Sequence, residues 1–248
     1  MPKKIVFLFL FLSYCSLVFA QKNYRIRADI SIKDKLSNGK MRLTVGQVYY
    51  DRLYAKIVYQ LRFPRKETLI VQDTSIFQLD EKGALVGSKG TPMLPEVTIF
   101  HMALANRLSD YGFNDGSNFY KVSKVEKEGD NIITTWMPSD PNLNKYLGKI
   151  MMNNVKKRLD AILFYGPKGD LLSKQFFKDY TNVSGVEFPL TVTQFSYSIK
   201  EKNKENIQQT TYKNIVIDES EKDEIYRFKI PVRKLTPPAT KPAQSPKR

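Results

Sequence analysis

LYAKIVYQLRFPRKETLIVQDTSIFQLDEKGAL, residues 53–85, is the stretch on which the fold turns. Ala55, Ile57, Tyr59, Leu61 and Phe63 alternate with mostly polar neighbours, the period of two of a half-buried strand. Pro64 ends it, because proline donates nothing to a ladder. Thr68 to Gln72 resumes in β-branched residues, Asp73-Thr74-Ser75 turns the chain, and Ile76 to Leu79 returns as a third strand before Glu81-Lys82-Gly83 turns it again. Three short strands joined by tight turns make an antiparallel meander.

The same grammar extends in both directions. Upstream, Tyr24, Ile26, Ala28, Ile30 and Ile32 share one face of a strand over residues 24–35. Ser37-Asn38-Gly39 is a hairpin signal, since Asn and Gly accept positive φ. Met41, Leu43 and Val45 continue the apolar face, and Gly46 marks a bulge before Val48-Tyr49-Tyr50. Downstream, Phe119 to Glu128 and Asn131 to Met137 form a hairpin around Gly129-Asp130, and Pro138-Ser139-Asp140-Pro141 breaks it. A short helix over 142–147 precedes strands at 149–154, 158–165, 170–180, 188–199, 207–217 and 225–230, with turns at Gly166-Pro167-Lys168-Gly169 and Val183-Ser184-Gly185 and a charged loop over 200–206. About ten or eleven strands result. No short-period repeat is present.

One segment departs from this pattern. After the stiff connector Thr91-Pro92-Met93-Leu94-Pro95, residues 96–108 have helical spacing, with Val97, Phe100, Leu104 and Leu108 as one stripe. Ile99, Met102 and Ala103 widen the apolar sector well beyond it. Such a helix either sits sandwiched in a core or covers an apolar opening.

The N-terminus reads as an export signal. Lys3 and Lys4 precede the apolar run 5–12, and Val18-Phe19-Ala20 sets a cleavage site after Ala20. The rival, a lipoprotein signal using Cys15, places the bulky Tyr14 where a small residue belongs. Cys15 is the single cysteine, so cleavage at Ala20 excludes disulfides, thiolate zinc sites and cysteine nucleophiles from the mature domain, residues 21–230. Residues 231–248 collapse to Pro, Lys, Thr, Ala and Ser, a disordered basic tail. The net charge of +15 drops by two without Lys3 and Lys4 and favours anionic partners, either through specific contacts or as a merely solvated basic surface. An exported chain with no recognised motif gives no reason to expect nucleic acid.

Chemistry of the catalytic kind is poorly represented. His101 is the single histidine and lies in the apolar helix, so a Ser-His-Asp triad or a histidine metal site would have to use it. No Gly-x-Ser-x-Gly elbow, Walker loop or dinucleotide fingerprint occurs. Asp110, Asp115, Asp140, Asp160, Asp170 and Asp179 fall mostly in turns, where Asp serves the backbone. The expectation is a protein that is not an enzyme and holds no cofactor or metal. Strand aromatics are the more telling feature. Tyr59, Phe63, Phe77, Tyr120, Trp136, Phe164, Phe176, Phe195 and Tyr197 either pack two layers together or line a cavity.

These pieces, taken in order, resemble the LolA-like periplasmic lipoprotein carriers and their RseB-type relatives. Residues 39–49 resemble the family's early hairpin. Phe63-Pro64 followed by 68–79 resembles its proline, strand and Asp-containing turn, and residues 96–108 fall where its internal helices lie. Residues 133–138 resemble its strand ending in proline, 162–180 its hairpin ending near an Asp, here Asp179, and Phe228-Lys229-Ile230-Pro231 the closing run of Bacteroidota members. The resemblance implies a mainly β (α+β) fold: a curved antiparallel sheet forming an incomplete β-barrel, with a helical lid over an apolar cavity for acyl chains. It implies a periplasmic carrier that holds lipidated proteins or lipids for delivery towards the outer membrane. The alternative is a non-enzymatic envelope interaction or sensor domain on the same fold. The expected acyl cavity and lid are Tyr59, Leu61, Phe63, Phe77, Phe100, Leu104, Trp136 and Phe164. The expected partners are lipoproteins or lipids, acceptor proteins at the inner and outer membranes, and the membrane surface peripherally, with the carrier a monomer. Two departures stand out. Residues 21–23 leave no room for the family's leading helix, and no single arginine matches the family's cavity arginine.

Overall fold

The computed structural model describes residues 23–91, 94–114, 119–198 and 205–231. The expected signal segment with Cys15, the tail beyond residue 231, Asp115, Gly116 and most of the charged loop lie outside them. Among the described residues, thirteen strands form one sheet: β1 (Arg25–Lys35), β2 (Met41–Asp51), β3 (Lys56–Phe63), β4 (Glu67–Gln72), β5 (Ser75–Leu79), β6 (Leu85–Gly90), β7 (Tyr120–Glu128), β8 (Asn131–Pro138), β9 (Ile150–Val155), β10 (Arg158–Tyr165), β11 (Leu171–Val183), β12 (Val186–Tyr197) and β13 (Glu205–Ile217). This exceeds the ten or eleven expected, and β6 is the strand that the sequence reading lacked.

The sheet order is β6-β5-β4-β3-β2-β1-β13-β12-β11-β10-β9-β8-β7, and β6 and β7 are not paired with each other. The sheet is therefore an incomplete barrel with two free edges. The first and last strands meet at its middle, where Ile30 pairs with Tyr212 and Ile32 with Thr210. Residues 94–114, between the two edges in sequence, cross the sheet.

Period-two patterning sets the two faces. Ile26, Ala28 and Ile30 of β1, Val48 and Tyr50 of β2, and Ile57 and Leu61 of β3 are buried on the concave face. The hairpin between β1 and β2 closes through Gly39 at φ 80°, as its Asn-Gly signal required. Gly46 sits where the β2–β3 register shifts, and a Cβ there would press into the Gln60 carbonyl. The close approach of the two backbones thus demands glycine.

The opposite face carries a second, smaller core. Tyr49, Val58, Ile70 and Leu79 point outward, yet all are buried beneath Tyr226. The expected strand over 225–230 is instead a short helix, α2 (Asp223–Tyr226), followed by an irregular segment lying against this outer cluster. Lys56 Nζ donates to the Phe228 carbonyl at 3.1 Å, and the Tyr226 ring meets Tyr49 edge-on at 5.4 Å. Asp223 and Glu224 in its first turn suit a helix start, where the macrodipole favours acids. A truncation after Pro231 should leave the thermal midpoint unchanged. One after Asp218 uncovers the outer cluster and should lower the midpoint by several degrees, since a buried Tyr and its neighbours lose their cover. Two equal midpoints in thermal denaturation would contradict a covering role for α2.

Among the described residues, no helix is long and apolar enough to cross a membrane, a statement that does not extend to strands.

Candidate functional site

The expected helix over 96–108 is shorter than its stripe implied. Pro95–Val97 forms a 3-10 turn, Thr98 is extended at φ −91° and ψ 160°, and the α-helix proper is α1 (Ile99–Leu104). The Thr98 hydroxyl donates to the Pro95 carbonyl at 2.7 Å, which holds the break. Beyond α1, Asn106 adopts positive φ and a series of turns carries the chain to Asn114. Val97, counted in the stripe, falls before the break and is exposed.

What the crossing segment presents to the sheet is a line of aromatic rings. Phe100 stacks on Tyr50 at 6.0 Å and on Phe188 at 5.8 Å, and meets Tyr212 edge-on at 5.7 Å. Tyr111 contacts Phe164 and Phe177 at 6.3 and 6.2 Å. Phe113 contacts Tyr120 and Trp136 at 5.5 and 5.7 Å. Three rings of the crossing thus step across the concave face from β2 to β7. Ile99, Met102, Ala103, Leu104 and Leu108 fill the spaces between them.

Beside α1 the concave face stays open as a cavity of about 280 Å³. Its apolar wall is Ile30, Ile32, Tyr59, Ile99, Phe100 and Val192, and its polar wall is Gln175, Gln194, Gln208, Thr210, Tyr111 and Tyr212. Burial pushes the phenols of Tyr59 and Tyr111 up to about 12, and burial together with those two neighbours raises Tyr212 further. These phenols stay neutral and act as hydrogen-bonding groups, not bases. Gln194 Nε2 donates to Ser196 Oγ at 3.1 Å and Gln208 Nε2 to Asp34 at 2.9 Å. The side chains of Gln175, Thr210, Tyr59 and Tyr212 have no hydrogen-bond partner among the described residues.

The site residues expected from sequence separate into three groups. Tyr59 and Phe100 line the cavity directly. Leu61, Leu104, Trp136 and Phe164 belong to the same concave core but not to the cavity wall. Phe63 and Phe77 lie elsewhere. One extra residue in β3, Arg62, separates the pairs Gly46–Leu61 and Val45–Phe63, so Phe63 is redirected to a hollow with Lys33, Met41, Leu43 and Pro64. Phe77 pairs with Ile70 and joins the outer cluster under α2. Unforeseen were the glutamines and the tyrosines Tyr111 and Tyr212. The available signal was a polar residue two places from an apolar one on the same strand face, as with Gln175 and Phe177 or Gln194 and Val192.

His101 faces the other side of α1. The Tyr50 hydroxyl lies 2.7 Å from its Nδ1 and donates to it when the ring is neutral and protonated on Nε2. Burial first, then Arg52 and Arg107, lower the His101 pKa below 6.5, and Glu96 opposes them. The folded state therefore holds the neutral ring, while the unfolded chain binds the proton more readily. Stability rises with pH through the window below 6.5 and is lost as pH falls through it. The melting temperature should drop between pH 7 and 5, with a shallower drop in His101→Gln. Identical slopes would show that this ring is not the titrating group. Among the described residues, no carboxylate or serine is hydrogen-bonded to His101. Among the described residues, no three His, Cys, Asp or Glu side chains gather to hold a metal.

An open antiparallel sheet of this kind recurs in other solved structures. A LolA superfamily protein from Nitrosomonas europaea superposes with a TM-score of 0.51 at 12% identity, over 84% of this chain and 91% of that one. A domain described as an outer membrane lipoprotein-sorting protein, from Vibrio parahaemolyticus, gives 0.56 at 12% identity over 87% and 94%. A DUF1329 family protein from Desulfovibrio piger gives 0.53 at 11% identity over 86% and 93%. No family model and no curated protein matches the sequence. The chain has the LolA-like fold. At these identities the likeness speaks for the fold alone.

Proposed function

We propose that this protein is a periplasmic carrier of acyl-bearing cargo, either lipidated proteins or lipids, which it holds on its concave face for delivery towards the outer membrane. The observation that carries the reading is the cavity beside α1. Ile30, Ile32, Tyr59 and Phe100 offer an apolar wall to a chain, while Gln175, Thr210 and Tyr212 offer unpartnered polar groups to an ester or amide of the cargo. Each buried CH₂ contributes ~0.8 kcal/mol, so a short length of chain suffices for useful affinity. The polar wall orients the cargo, because a hydrogen-bonding group left unpaired on either side costs about 1–3 kcal/mol. The LolA-like fold supports the same reading. Tyr59 and Phe100 contact the chain, and Leu61, Leu104, Trp136 and Phe164 form the packed backing of that wall. Binding of this kind needs no catalytic group. The carrier works as an exported monomer, with its signal removed after Ala20 and its partners in the two membranes.

The test is to purify the protein from its native envelope and analyse extracted lipid by mass spectrometry. A stoichiometric acylated species is expected. Protein that is consistently empty and takes up no acyl chain on mixing would overturn the proposal.

A further inference from the structure

A second hollow on the concave face, about 530 Å³, lies at the β3–β6 end of the sheet. Its floor is Leu69 and Ile76, and its rim carries Arg42, Arg65 and Lys89 against a single carboxylate, Glu67. Glu67 is already engaged, accepting from Gln78 Nε2 at 2.6 Å. Arg42 pairs with Asp34 at 2.8 Å, whereas Arg65 and Lys89 have no ion-pair partner among the described residues. The rim therefore keeps a net positive charge above an apolar floor.

This hollow adjoins the cavity beside α1. Register aligns Gly87, Gln78, Leu69 and Tyr59 across four strands, so Leu69 of one hollow sits directly beside Tyr59 of the other. Leu69 and Ile76 are both packed against the concave core. One trough thus leads from a cationic end over Leu69 to the half-polar cavity.

We propose that the trough is built for a lipid with an anionic phosphate head: the phosphate at Arg65, Lys89 and Arg42, the chain over Leu69 and Ile76 towards Tyr59 and Ile32. This rests on the acyl-binding reading above and narrows its cargo to anionic amphiphiles. Guanidinium and ammonium groups pair with phosphate through charge-assisted hydrogen bonds, the guanidinium as a planar fork. Lys89 pairs with Ile76 within the hollow's own wall, so head and chain are read by adjacent strands.

The experiment compares dihexanoyl-phosphatidylglycerol with dihexanoyl-phosphatidylcholine by calorimetry at low salt. The two carry the same chains and differ in net charge. The phosphatidylglycerol should bind roughly tenfold tighter, as expected for two exposed cations of modest individual worth. The Arg65→Glu/Lys89→Glu double variant should lose that preference, its affinity for phosphatidylglycerol falling more than its affinity for phosphatidylcholine. Both side chains are exposed, so its melting temperature should match wild type and exclude misfolding. Inorganic phosphate at the same concentration should not displace the lipid. Equal affinity for the two lipids would overturn the anionic head site and leave the acyl-chain reading standing. A preference that survives in the double variant would place the charge recognition elsewhere and overturn it too. Displacement by free phosphate would make this an inorganic anion site. Binding of neither lipid would remove the acyl-chain reading itself.

Discussion

Phe100→Ala is expected to lower the stability of the empty protein by about 3–5 kcal/mol, as large-to-small changes at buried aromatics do. The ring is 3% exposed and touches Tyr50, Phe188 and Tyr212 at once. Its removal opens the core into the adjacent cavity, where Phe100 already forms part of the wall. That geometry makes the loss recoverable. A short lipopeptide can occupy the vacated volume and, at a hundredfold excess over its Kd, stabilises by about 2.7 kcal/mol. Urea denaturation of wild type and variant, each with and without lipopeptide, measures both effects. Leu104→Ala is the companion, since Leu104 is buried in the same core without lining the cavity, and its cost of about 2–5 kcal/mol should persist with ligand. If ligand narrows neither gap, α1 is a fixed core helix and does not gate the cavity.

Asp51→Ala should cost a comparable ~3–5 kcal/mol through a different mechanism. Asp51 is fully buried at the end of β2. It accepts from Arg25 Nε at 2.7 Å and from the backbone N–H of Leu53 and Tyr54 at 2.9 and 3.2 Å. Without the carboxylate, a largely buried guanidinium loses one of its two acids and two amides lose their acceptor. The other acid, Asp223, is half-exposed and holds Arg25 from outside at 2.6 Å. Asp223→Ala should therefore cost no more than about 1 kcal/mol. Equal costs for the two variants in chemical denaturation would contradict the assignment of Asp51 as the inner anchor.

Much of this architecture was legible in the sequence, because most strands have one buried face and tight turns. The hairpins at Asn38-Gly39 and Gly129-Asp130, and strand β10 over its full length, follow from alternation and turn chemistry. Three features did not follow, each for a physical reason. Strand β6 contains Gly87, Ser88 and Gly90, residues with little preference for strands, and owes its conformation to pairing with β5. The cover on the outer face was hidden because Ile225 to Ile230 alternates as a strand would, although the free surface it packs on has already been formed by Tyr49, Val58 and Ile70. The helix was overlong because the apolar stripe continues through a backbone break at Thr98. Of the expected site residues, Tyr59 and Phe100 reach the cavity beside α1 because alternation and helical spacing carry them inward. Phe63 and Phe77 lie away from that cavity: a single bulged residue redirects one, and the other faces a second core that a one-sided sheet would lack. The polar half of the cavity was invisible because Gln175, Gln194 and Gln208 read as ordinary solvent-facing residues until the sheet curls over them.

The pairing of β1 with β13 at the middle of the sheet has a kinetic consequence. Residues 25–35 are made first and must wait for residues 205–217, nearly the whole length of the domain, before the two halves can join. Until then the chain holds two separate meanders, one ending at β6 and one beginning at β7, each with its central edge exposed. Contacts of such long sequence separation are slow to form, and unpaired strand edges are prone to cross-pair with other chains. Completion of β13 thus acts as the last closing step of folding, and a chain arrested before residue 205 presents open edges to whatever escorts it.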